Sequence, residues 1–163
     1  MKKHSSAIIA FALLLICNGC QKSTDLDYGL FADWYLTTGS APQKEYTSKG
    51  VTVQTDGYFS CTKDTSIQVF FASHPPALGK YHIVAESKAS AHTLGPNDVA
   101  VEFNVGINDV YLSMDGNDSA SIVVTDKGFK HLYIPAIKVV HVYNGSTFDT
   151  ATASGNISFP ENK

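Results

Sequence analysis

The 163-residue chain has no arginine: its twelve basic side chains are all lysine, set against fifteen Asp and Glu for a net charge of −3. Without the planar bidentate fork of guanidinium, and with acid in excess, nucleic acid is not an expected partner. Cysteine is scarce too, with Cys17, Cys20 and Cys61 making three in all, which excludes a disulfide-dense scaffold. There is one tryptophan, Trp34. The sequence has no internal repeat, no heptad and no amphipathic helical period of useful length. It also lacks the G-x-S-x-G elbow, the Walker loop and the paired-glycine nucleotide motif. His74, His82, His92, His131 and His141 form no metal-ligand spacing. No enzyme and no cofactor is expected.

The single long apolar run is Ala7 to Cys17 (AIIAFALLLIC), preceded by Lys2 and Lys3. Eleven residues is too short to span a bilayer and suits the h-region of a signal peptide. Gly19-Cys20 follows at once, before a polar stretch. A small residue before a cysteine at the end of an h-region resembles the lipobox of bacterial lipoproteins, here with Cys17 and Asn18 in its first two places. The resemblance implies that residues 1–19 are removed and that Cys20 becomes the lipid-bearing first residue. The expected partner is then a membrane, and the expected location the cell envelope, at the outer membrane. Signal cleavage without a lipid is the alternative. Removing the leader lysines leaves ten Lys against fifteen acids, a net of −5. Cys17 departs with the leader, Cys20 carries acyl chains such as palmitate, and Cys61, in the strand-like YFSCT, reads as a small buried hydrophobe.

Residues 20–29 read as the lipidated cysteine and a flexible tether, and residues 30–163 as one β domain. Strand patterns run through Leu30–Thr38, Val51–Thr55 and Tyr58–Thr62, then Ser66–Ala72 and Gly79–Ala85. They continue at Val99–Val105, Val110–Met114, Ala120–Thr125, Phe129–Tyr143 and Thr147–Phe159. In Phe129–Tyr143, Leu132 and Ile134 share one parity while Ile137, Val139 and His141 share the other, with Pro135 at the slip. That predicts a β-bulge. Asn144-Gly145 predicts a tight hairpin. The expected fold is all-β, an antiparallel sandwich of about nine or ten strands, with a small lipocalin-like barrel as the alternative.

Several residues beyond the lipobox carry a second resemblance: Asp33-Trp34-Tyr35, Ile67 to Phe71, the turn Pro76-Ala77-Leu78-Gly79-Lys80-Tyr81, and Ala151 to Phe159. Together they are similar to the small envelope lipoproteins of unknown function common in Bacteroidetes-type bacteria. The resemblance implies a lipidated cysteine leading into a β domain and carries no further site.

Two sets of side chains are candidate sites. Trp34 and Tyr35 could stack on a glycan or anchor an envelope protein. Asp115, Asn117, Ser119 and Asp126 echo the oxygen ligands of a calcium loop, although Ala120 stands where glycine is needed. The functional expectation is a non-enzymatic, lipid-anchored envelope protein with a binding or structural role. A lipocalin-like carrier of a small apolar ligand is the alternative, and an extracytoplasmic hydrolase stands behind both.

Overall fold

The computed structural model describes residues 31–124 and 129–160. Cys20, the leader, the tether and Asp126 lie outside them. The described strands are β1 (Phe31–Thr38), β2 (Lys44–Lys49), β3 (Thr52–Gln54), β4 (Gly57–Thr62), β5 (Thr65–Phe71) and β6 (Gly79–Ile83). After helix α1 (Glu86–Ser90) come β7 (Asp98–Gly106), β8 (Asp109–Ser113), β9 (Ser119–Val124), β10 (Phe129–Tyr143) and β11 (Ser146–Pro160). The chain is all-β, as expected, and its strand pairing is antiparallel except between β6 and β7. The strands form one mixed 11-stranded sheet in the order β2-β1-β11-β10-β9-β6-β7-β5-β4-β3, with β8 joining β10 to β7. β6 and β7 run parallel, pairing His82 with Asp98 and Ile83 with Val99. The connection through α1 is long enough to return the chain in the same direction.

The predicted bulge organises the sheet. β10 pairs with β9 over Lys130–Tyr133 and with β8 over Val139–Tyr143. Its register against β11 shifts between Ile134 and Ile137, around Pro135. Proline has no N–H for the ladder, so the strand bends there and passes from one neighbour to the other. β10, β9, β6, β7 and β8 thereby close a ring of strands. One wing, β11-β1-β2, extends from β10, and the other, β5-β4-β3, from β7.

The two wings fold against each other. Tyr58 of β4 stacks on Phe159 of β11 with ring centroids 4.0 Å apart. The hydroxyls of Ser48 on β2 and Ser60 on β4 bond each other, Ser60 Oγ also donates to Gly50 O at 2.7 Å, and Thr62 Oγ1 donates to Thr47 O at 3.1 Å. Side chains, not a backbone ladder, bring β2 to β4, so the sheet as a whole is not the clean barrel of the alternative.

Alternation along the strands fills one core. Trp34, Ile67, Val69, Val101, Phe103, Leu132, Val139, Ile157 and Phe159 are fully buried. A smaller cluster of Val84, Ala89 and Ala100, with Phe70 and Leu94 packed against it, lies under α1. Among the described residues no helix is long and apolar enough to cross a membrane.

Candidate functional site

The residues singled out from the sequence separate. Trp34 and Tyr35 are adjacent on β1 and face opposite sides, as strand parity requires. Trp34 is 0% exposed and stacks on Tyr46, with ring centroids 5.7 Å apart. It is a core residue and presents no face to a ligand, which corrects its expected role. Tyr35 is half-buried on the outer face, where its hydroxyl donates to Glu45 Oε1 at 3.4 Å. The neighbouring Glu45 carboxylate raises the Tyr35 pKa.

The calcium-like loop is differently employed. Asp115 Oδ1 accepts from Lys88 Nζ at 2.8 Å and from Ala85 N–H at 3.1 Å. The Lys88 hydrogen bond, helped by that N–H, holds the Asp115 carboxyl below its usual range. Ser119 already belongs to β9, paired opposite His82. Among the described residues no group of three or more His, Cys, Asp or Glu is placed to hold a metal. Cys61 is half-buried on β4.

The strongest constellation lies where two hairpin tips meet. β7 turns into β8 through Ile107-Asn108, and β10 turns into β11 through Asn144-Gly145. Asn108 and Asn144 both have positive φ, 59° and 48°, a conformation asparagine tolerates better than most residues. Asn108 Nδ2 donates to Asn144 Oδ1 at 3.1 Å, and Asn144 N–H donates to Asn108 O at 3.1 Å. These bonds fasten the two tips side by side.

Behind the tips, Asp109 Oδ1 lies 2.8 Å from His141 Nε2. The imidazole of His141 stacks flat on Tyr111, with ring centroids 4.5 Å apart and planes 8° from parallel. Phe148 lies 5.7 Å from His141 and 6.4 Å from Tyr143. Burial first, then the Asp109 carboxylate, raises the pKa of both Tyr46 and Tyr111. Strands β2, β8, β10 and β11 therefore converge here. The rim is apolar and open: Ile107 is 85% exposed, Phe148 55% and Tyr143 45%. Contiguous exposed aromatic and aliphatic side chains backed by fixed polar groups suit recognition of a partner. The sequence offers little sign of this site: Asp109 and His141 are 32 positions apart, and only the parity of His141 and the Asn-Gly turn point to it.

A second polar chain crosses the outer face of β1, β11 and β10. Ser158 Oγ and His131 Nδ1 are 2.9 Å apart, His131 Nε2 is 3.4 Å from Asn156 Oδ1, and Asn156 Nδ2 donates to Asp33 Oδ2 at 3.0 Å. Ser158 is 2% exposed, and a buried hydroxyl cannot meet an acyl substrate. The chain fixes the sheet surface.

Comparison with protein-family models, curated proteins and solved structures finds no match.

Proposed function

We propose that the chain is a non-enzymatic, lipid-anchored cell-envelope protein that holds a partner through its paired hairpin tips. One observation carries the binding part of this reading: Ile107, Tyr143 and Phe148 are exposed together at the tips. The register of the long strands supports its orientation. Ala32 pairs with Ile157 at one end of β11, whereas Tyr143 pairs with Ser146 at the other. β11 has 15 residues, roughly 50 Å of strand contour at about 3.3 Å per residue. The start of β1 therefore lies at the opposite end of β11 from the tips.

The lipid part rests on the lipobox-like stretch ending at Cys20. Acylation with two or more chains would give stable anchoring. A carrier role receives less support. Such a role needs a cavity of about 300–1,000 Å³, but Trp34, Tyr58, Phe103 and Phe159 fill the core. The surface clefts measure about 140 and 60 Å³.

Two measurements test the proposal. Cys20→Ser should move the protein from the membrane to the soluble fraction, and intact-mass analysis of the wild type should show acyl chains; unchanged fractionation would remove the anchor. A photo-crosslinking side chain placed at Tyr143 in intact cells should give one defined adduct that the same group at Lys63 does not. Equal labelling from both positions would remove the tip surface.

A further inference from the structure

A second concave site lies away from the tips, beneath α1. The helix is held over β7 by Ala89 packing with Val84 and Ala100. At its C-terminal end the chain turns through His92, whose φ is +55°, and runs back over the sheet. Between this turn and the β3–β4 turn lies a cleft of about 140 Å³, lined by Asp56, Phe70, Phe71, Ala72, Ala89, His92 and Leu94. Phe70, Ala89 and Leu94 make its wall apolar. Asp56 is the one carboxylate in the lining. Its backbone is fixed, since Asp56 O accepts from Phe71 N–H at 2.8 Å. Its carboxylate forms no ion pair or hydrogen bond among the described residues. The one imidazole in the lining is His92, which forms no hydrogen bond or ion pair with Asp56. His74 feels it, but burial keeps that imidazole toward its neutral form, and Lys130 Nζ donates to Pro76 O at 3.1 Å.

We propose that this cleft binds a primary alkylammonium group, with the ammonium on Asp56 and the methylenes against Phe70 and Leu94. Size and charge both select this ligand. About 140 Å³ is the room of four or five groups the size of a water molecule, at roughly 30 Å³ each, which suits a four-carbon amine. An ammonium over an aromatic face and against a carboxylate gains both a cation–π contact and a charge-assisted hydrogen bond. A neutral apolar ligand would leave the Asp56 carboxylate desolvated and unpaired. An anion would meet like charge. The chemistry is shared by free alkylamines and by lysyl side chains.

The cleft is independent of the tips. It sits by Phe71, which pairs with Val99 near the start of β7, whereas Asp109 pairs with Gly106 at the end of that strand. Failure at one site therefore leaves the other standing.

The test is an amide-resolved NMR titration of the full chain with n-butylammonium. The expected result is saturable shifts at Ala72, His92 and Leu94 in the millimolar range, weakened by salt. Asp56→Asn should reduce the affinity at least tenfold. Leu94→Trp, which fills the cleft and leaves the carboxylate in place, should abolish binding even if Asp56→Asn proves unstable. Nα-acetyl-lysine methylamide separates the sources: matching shifts assign the site to lysyl side chains, and exclusion of this probe assigns it to free amines. Equal shifts from n-butanol, undiminished binding by Leu94→Trp, or shifts centred on Asp109 would overturn the proposal.

Discussion

Tyr58 on β4 and Phe159 on β11 stack 4.0 Å apart although five strands of the sheet order, β10, β9, β6, β7 and β5, lie between them. No backbone ladder joins them, so ring burial is what draws the two wings together. Tyr58 is 1% exposed, and burial raises its pKa to about 12. Tyr58→Ala should cost about 3–5 kcal/mol in urea denaturation, as large-to-small aromatic changes in cores do. A loss below about 1 kcal/mol would mean that the wings are held by something else.

The buried face of β1 depends on a missing side chain. Gly155 pairs with Trp34 across the β1–β11 ladder. A Cβ at Gly155 would sit 2.9 Å from Asp33 O and 3.1 Å from Trp34 Cβ. Gly155→Ala should therefore destabilise by about 1–3 kcal/mol, the range for overpacked cores, and should blue-shift or quench Trp34 emission as the indole moves. An unchanged spectrum with unchanged stability would show that β11 yields without strain.

This pair of residues also shows how far the sequence could be read. Strand parity puts Trp34 and Tyr35 on opposite faces, and Ala153, Gly155, Ile157 and Phe159 on one, as the structure has them. Parity alone does not say which face is inside, because alternation is symmetric until a second layer is known. The slip at Pro135 and the turn at Asn144-Gly145 were legible because each is written in local backbone chemistry. The parallel β6–β7 pairing was not, since a strand's sequence carries no mark of its partner's direction. The tip cluster was hidden for the same reason: Tyr46, Asp109, Tyr111 and His141 come from three strands with no common spacing. Tyr133, opposite in parity to Leu132 and Ile134, is 52% exposed.

Acid should destabilise the protein through His74. Burial lowers its pKa, with Lys130 acting in the same direction and Asp56 opposing, and Nε2 is buried with no hydrogen-bond partner among the described residues. The unfolded chain takes up the proton first, at about pH 6.5. Stability from neutral His74 is thus complete above that pH and is lost as pH falls toward the lower native value. His74→Phe should flatten the decline in melting temperature as pH falls below about 6.5, relative to wild type. An identical slope in both proteins would remove His74 as its source.

Glu102 carries the opposite sign. Burial raises its pKa, with Asn104 opposing through a hydrogen bond. The folded state therefore keeps the proton to higher pH than the unfolded state. Its favourable contribution is present below the unfolded value and is lost as pH rises through the folded one. Glu102→Gln retains an oxygen to accept from Asn104 Nδ2, a bond of 2.7 Å in the native protein. The variant should melt higher than wild type at pH 7, and the advantage should shrink on acidification below the raised value. A variant that melts lower at pH 7 would show that the ionised carboxylate is needed.

The two hairpin tips should behave as one coupled unit. Asn108 and Asn144 bond through side chain and backbone, and both hold left-handed φ values of 59° and 48°. Replacing Asn144 with alanine combines two losses, the side-chain bond and a left-handed penalty of about 1–2 kcal/mol. Asn144→Gly keeps the conformation and loses only the bond. The glycine variant should thus cost about 0.5–1.5 kcal/mol and the alanine variant clearly more. In a double-mutant cycle with Asn108→Ala, the glycine change should show a positive coupling, because both remove the same contact. The tips lie about a strand's length from the Tyr58–Phe159 stack, so the same changes should be additive with Tyr58→Ala. Additivity with Asn108→Ala instead would mean that the tips are independent hairpins, and the shared aromatic rim they present would lose its fixed geometry.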